Sequence, residues 1–288
     1  MSGERSAVSA VVPQSANRVL AVDYVRTLLF LSVLPLTAYR SPLTAQIQDN
    51  SFLIEEAYNQ EAGVVQHIST FARSSGGDWG YAFTQEWPLE GIRHQLSYTI
   101  PIEHSSATGT GIGDVALNYR HQLVGHPDAR TVIAPRFSLL VPTGSDESGR
   151  GAGSFGFQGN FPLTIVPDPK IAFHANAGVT VTPSARGLSG AKATTVSRNL
   201  GASLVWLLRP SLNLLVETLW LREESVAGEG TTRGEETTLI SPGIRAAFDM
   251  RGGLQIVPGI AYTVAISPES AEDGVFIYLS FEHPFKGQ

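Results

Sequence analysis

The chain of 288 residues contains no cysteine. That excludes a disulfide framework, a thiolate metal site and a cysteine nucleophile. The uninterrupted apolar run of about 18 residues that a transmembrane helix needs is also missing, although charged residues make up only 16% of the chain and the mean hydropathy is +0.03. The seven histidines show no His-Glu-x-x-His or similar ligand spacing, and there is no Gly-x-Ser-x-Gly elbow. Gly109-x-Gly111-x-Gly113 is followed by a strand pattern where a nucleotide loop needs a helix. A Ser/His site assembled from distant strands would leave no such trace. The reading is a non-enzyme with no catalytic residues, cofactor or metal.

What the chain does contain is two-residue alternation. In Gly111–Leu123, Val115, Leu117, Tyr119 and Leu123 fall on one side, and Asp114, Ala116, Asn118, Arg120 and Gln122 on the other. Successive strand side chains point to opposite faces, so this is a strand with one apolar and one charged face. The pattern recurs in Val64–Arg73, Trp79–Leu89, His94–His104, Arg130–Val141, Ser154–Val166 and Ile171–Thr182. It continues in Thr195–Leu208, Leu212–Arg222, Thr237–Phe248, Leu254–Ile266 and Val275–Phe285. The expected fold is all-β: an antiparallel transmembrane β-barrel of about 12 strands, an even number as bacterial barrels require.

The connections point the same way. Short turns are expected at Leu89–His94, Val166–Lys170, Leu208–Ser211 and Asp249–Gly253. Longer polar links are expected at Ser105–Thr110, Gly144–Gly153, Ser184–Lys192, Glu223–Glu236 and Ser267–Gly274. Alternating short and long links suit periplasmic turns and extracellular loops. The last strand runs to the outward aromatic Phe285, near the end of the chain, resembling the signal read by the barrel-assembly machinery.

Arg26 precedes the apolar stretch Leu28–Ala38, and Leu43-Thr-Ala45 offers a small-residue cleavage site. Residues 1–45 are therefore expected to be a cleaved signal peptide, 46–63 an N-terminal periplasmic segment and 64–288 the barrel. The leader holds four arginines and two acids, so a whole-chain charge of −6 leaves −8 on the remainder, which argues against nucleic acid. Ser51–Ala62 does not alternate. Ser51 is placed to cap a short helix with Glu55 and Glu56 in its first turn, and Gly63 to end it. Such a helix would plug the lumen or cap its mouth, with Glu55, Glu56 and Tyr58 as candidate plug residues; a frayed linker is the alternative.

If the apolar faces meet lipid, the lumen receives Glu86, Glu103, Asp114, Arg120, Arg136, Glu217, Arg245 and Glu282. These form either a ladder of internal ion pairs or a channel whose selectivity the charges tune. The acidic loop residues Asp146, Glu147, Glu223, Glu224, Glu235 and Glu236 are candidates for divalent ions bridging lipopolysaccharide, or for plain solvation.

The core Gly111-x-Gly-Asp-x-x-Leu-x-Tyr119 resembles that of the outer-membrane family labelled "MetA-pathway of phenol degradation". The resemblance runs from about Phe52 to Phe285. It includes Glu55-Glu-Ala-Tyr-Asn-Gln-Glu61, Val64-Val-Gln-His67, Ala134-Pro-Arg136 with Leu140-x-Pro-Thr-Gly144, and Ser280-Phe-Glu-His-Pro-Phe285. It implies an outer-membrane barrel of a Gram-negative-type bacterium that passes small, hydrophobic or aromatic solutes. A fold does not fix its cargo. Three readings stand: a passive pore or uptake protein, a closed structural or interaction barrel, and a soluble all-β ligand binder. For the first two, the expected partners are outer-membrane lipid and lipopolysaccharide.

Overall fold

In the computed structural model, residues 47, 51–126, 129–266 and 272–285 are described. The leader expected at 1–45 lies outside them. Twelve antiparallel strands close into a barrel. They are β1 Val64–Ser74, β2 Trp79–Glu90, β3 His94–Ser105, β4 in two pieces Gly109–Ile112 and Val115–His121, and β5 in two pieces Thr131–Ile133 and Arg136–Val141. There follow β6 Gly156–Asp168, β7 Ile171–Arg186, β8 Lys192–Arg209 and β9 Leu212–Gly228. β10 is Thr231–Ala246 continued by Phe248–Asp249, β11 is Gln255–Ala265 and β12 is Gly274–Pro284.

Each strand pairs with its sequence neighbour, and β1 closes the ring on β12 with Val64 opposite Pro284 and Ser74 opposite Gly274. Closure leaves no open edge for another chain to pair with. The break in β5 falls at Pro135, which has no N–H to give the ladder.

The barrel is inside-out relative to a soluble protein. Phe137 is 53% exposed while its neighbour Ser138 is fully buried, and Ile244 is 39% exposed beside Arg245 at 1%. Leu117, Phe157, Phe161, Leu200, Leu204, Trp206 and Val216 extend the exposed apolar surface. A soluble ligand binder would bury these faces, so that reading fails. Strands about 4.8 Å apart and tilted about 40° give twelve-strand barrels a backbone radius of about 12 Å. Barrels of about eight strands are filled by their own side chains and those of sixteen or more leave a water channel, so a bore of this width falls between the two.

Three expectations change. First, Ser51–Glu61 is not a helix but irregular chain, bent at Phe52–Ile54 and at Ala57, threading the lumen. Its amides donate to barrel side chains instead of to carbonyls one turn back. Second, Glu223–Glu236 is not a loop: β9 and β10 run on through it and turn at Glu229–Gly230, with Gly230 at a positive φ of 64°. Third, the end that carries the short turns also holds a longer link between β4 and β5, so short and long connections alternate less cleanly than the sequence suggests. The loop between β5 and β6 remains long. It folds inward, with Asp114 Oδ1 and Oδ2 accepting the Gly144 and Ala152 N–H groups at 2.9 and 2.8 Å.

Candidate functional site

The site is the lumen, and the chain's own N-terminal segment occupies it. Strand alternation turns the polar half of each strand inward, so the wall presents carbonyls, carboxylates, amides and guanidiniums to whatever lies inside. A segment that is neither helix nor strand has backbone groups unpaired within itself and meets them. Glu217 on β9 accepts the Leu53 N–H at 3.0 Å and the Ile54 N–H at 3.1 Å. Asn176 on β7 accepts the Glu55 N–H at 2.7 Å and returns a bond to the Glu55 carbonyl at 2.9 Å. Thr164 on β6 accepts from Ala57 at 2.9 Å, and Gln95 on β3 accepts from Gln60 at 2.7 Å. Arg120 on β4 donates to the Tyr58 carbonyl at 2.8 Å.

Glu55 and Glu56, adjacent in an irregular chain, reach different walls. Glu55 pairs with Arg136 at 2.6 Å and Arg120 at 3.3 Å, and Asn160 donates to its second oxygen. Glu56 pairs with Arg245 at 2.9 Å, and the ring of His174, which is no ion-pair partner when neutral, lies 3.5 Å away. Burial opposes ionisation of Glu55, yet the Arg136 and Arg120 guanidiniums outweigh it and hold the carboxyl below the usual range. At Glu56 burial wins over Arg245 and pushes the pKa up to about 7.

Part of the lumen is apolar: Val205, Leu215, Val257, Ala261, Phe276 and Tyr278 are buried in one cluster with Phe52. The Phe52 ring lies 5.7 Å from Phe276 and 5.6 Å from Tyr278, centroid to centroid. Two wall glycines make room for it: a Cβ on Gly243 or Gly259 would stand 2.5 Å from the ring. Gly201 does the same beneath Ile54. None of the three has a positive φ, so they serve space and not backbone conformation.

Above the segment is a cavity of about 390 Å³. Residues 51–55 form its floor, the hydroxyls of Thr84, Ser97, Thr99 and Thr180 part of its wall, and Asp146 and Arg150 of the inward loop its rim.

Of the lumen residues expected from sequence, Arg120, Arg136, Glu217 and Arg245 all grip the segment. Glu86 acts one step back, accepting from the Gln95 amide at 2.7 Å. Glu103 and Asp114 stand at the outer end beside the inward loop, and Glu282 lies on the inward face of β12 opposite Gln66. Tyr58 is buried against Val132 and Ala134. Sequence reasoning missed Asn176, Thr164, Gln95 and Asn160 as holders, and the apolar seat of Phe52. The signal for the seat was present: Gly201, Gly243 and Gly259 fall in inward phase along their strands.

Fold and site together define a twelve-stranded membrane β-barrel whose lumen holds its own N-terminal segment. The chain belongs to the family described as putative MetA-pathway of phenol degradation, which matches residues 45–264. An outer-membrane channel from Pseudomonas putida F1 has the same fold, with a TM-score of 0.60 at 14% identity over 79% of this chain and 97% of that one. The KdgM porin is a looser likeness, at 7% identity and a TM-score of 0.44 over 77% of this chain and 99% of that one. CymD, a monoaromatic hydrocarbon channel, is looser still, at 10% identity and 0.37 over 78% and 89%. No curated protein sequence matches the chain.

Proposed function

We propose that this protein is an outer-membrane channel for small solutes, aromatic ones among them, and that residues 51–61 close it at rest. One observation carries the reading: the bore is filled by a separate segment held through side-chain contacts, not by the wall's own side chains. A segment bound in that way leaves by breaking a set of individually modest bonds, while the barrel ladder stays intact. The wall also carries a ring-sized seat, formed by Phe276, Tyr278, Gly243 and Gly259, that Phe52 fills. A solute with an aromatic ring matches that seat and competes with Phe52 for it. The hydroxyl-lined cavity above suits the polar end of such a solute.

Swelling of proteoliposomes tests this, using methyl glucoside and the larger phenyl glucoside, neither of which crosses lipid readily. The channel reading expects phenyl glucoside to enter faster in spite of its size. Rates that fall with size alone would remove the aromatic part of the proposal. The closed-barrel reading draws on the same filled lumen, and expects no flux even when residues 51–62 are deleted.

A further inference from the structure

We propose that Arg198 and Arg222, on the outward face of β8 and β9, form a docking site for the phosphates of lipopolysaccharide in the outer leaflet. The inference does not depend on whether the lumen conducts. On β8 the outward residues Leu208, Trp206, Leu204 and Leu200 are exposed and apolar, and Arg198 comes next. From Leu208 to Arg198 is about 33 Å of strand at roughly 3.3 Å per residue, or about 25 Å of height at a tilt of about 40°. That matches the height of the apolar band of outer-membrane barrels, about 25 Å. Arg198 therefore stands where the acyl chains end and the headgroups begin. Its end of the barrel is the one bearing the long inward loop between β5 and β6, the extracellular end by loop length.

Arg222 lies directly opposite Arg198 in the β8–β9 register. Like charges in that position repel, and a shared anion removes the penalty. Arg222 has a partner in Glu236, at 2.7 Å. Arg198 has neither a hydrogen bond nor an ion pair among the described residues. The guanidinium of Arg222 lies over Gly234, where a Cβ would stand 3.1 Å from its Nη2, so the lack of a side chain at 234 makes room for it. Leu200 and Trp220, themselves directly opposite one another, lie one step nearer the membrane and offer an apolar surface to the chains of the same lipid. Guanidinium binds phosphate through paired N–H donors, which a glycolipid carrying phosphates at this depth would satisfy. The contact is direct, unlike the divalent bridging that the acidic residues suggested. Of those acids, Glu223 on β9 and Glu235 on β10 are opposite one another on the inward side of the wall.

The test uses the full barrel in detergent, immobilised and exposed to lipopolysaccharide, to dephosphorylated lipopolysaccharide, or to inorganic phosphate. Heat-modified electrophoretic mobility checks that each variant is folded. Native protein should retain lipopolysaccharide about tenfold better than the Arg198→Gln/Arg222→Gln variant, and removal of the phosphates should erase that difference. Glu236→Gln, which frees Arg222, should tighten retention, a change that loss of a merely structural ion pair would not produce. Equal retention by native and double-variant protein would overturn the proposal, as would indifference to dephosphorylation. Competition by millimolar inorganic phosphate as effective as that by the lipid would reduce the site to a simple anion patch and overturn the lipid assignment.

Discussion

Adding a single methyl group to the barrel wall at Gly259 should loosen the segment that fills the lumen. A Cβ there would stand 2.5 Å from two atoms of the Phe52 ring, with Arg245 Cβ next at 3.2 Å. The ring has little room to retreat, because the Gly243 backbone lies so close to its other edge that a Cβ built there would also stand 2.5 Å from it. Overpacking of this kind costs about 1–3 kcal/mol. The cost falls mainly on the docked state, since the closest contacts are both with Phe52 and go when the ring leaves, whereas the 3.2 Å approach to Arg245 Cβ is common to both states. The undocked fraction should therefore rise about 5- to 150-fold. The absence of cysteine makes this measurable, because Ala57→Cys introduces one fully buried thiol into the segment. Its rate of modification by an impermeant reagent reports the undocked population. Gly259→Ala should raise that rate in the native background and leave it nearly unchanged in a Phe52→Ala background, where the clash has gone. Additive effects of the two substitutions would refute the seating of Phe52 between the glycines.

Three further outcomes follow from the same contacts. Glu217→Ala removes the acceptor shared by the Leu53 and Ile54 amides; at about 0.5–1.5 kcal/mol for each of these hydrogen bonds, labelling at position 57 should rise about fivefold or more. Docking should be tightest near the ordinary carboxylate pKa of 4.5. Below it, protonation removes the contribution of Glu55, whose docked pKa is depressed; as pH rises from 4.5 toward 7, the docked state is penalised because Glu56, raised to about 7, must ionise while buried. Open probability in a planar bilayer should therefore pass through a minimum near pH 4.5–5, and a flat profile from pH 3.5 to 8 would contradict both assignments. Asp114→Asn weakens the clamp on the Gly144 and Ala152 amides, and should expose Arg150 in the inward loop to trypsin without changing barrel stability.

The barrel was legible because alternation is written into every strand: Leu117 and Tyr119 outward, Asn118 and Arg120 inward, is a pattern the membrane itself enforces. The segment Ser51–Glu61 was less so. Ser51, Glu55 and Gly63 carry valid helix signals, but the local gain from a cap and a first-turn acid is small beside the cost of leaving Arg120, Arg136 and Arg245 buried without their carboxylate partners. Those partners lie on distant strands, and their common height depends on barrel stagger, which no single stretch encodes. The reach of β9 and β10 was hidden for a different reason. Glu223, Glu224, Glu235 and Glu236 look like loop residues by composition, yet beyond the membrane band both faces of a strand meet water or the barrel mouth, so hydrophobic alternation is no longer required.

The measurement that bears most directly on the central claim is single-channel conductance of residues 46–288 in a planar bilayer, with and without residues 51–62. The account predicts a native barrel that is mostly closed, with brief openings, and a deleted barrel that conducts steadily. A deleted barrel that is folded and inserted but silent would contradict it, and would leave a protein closed by its wall.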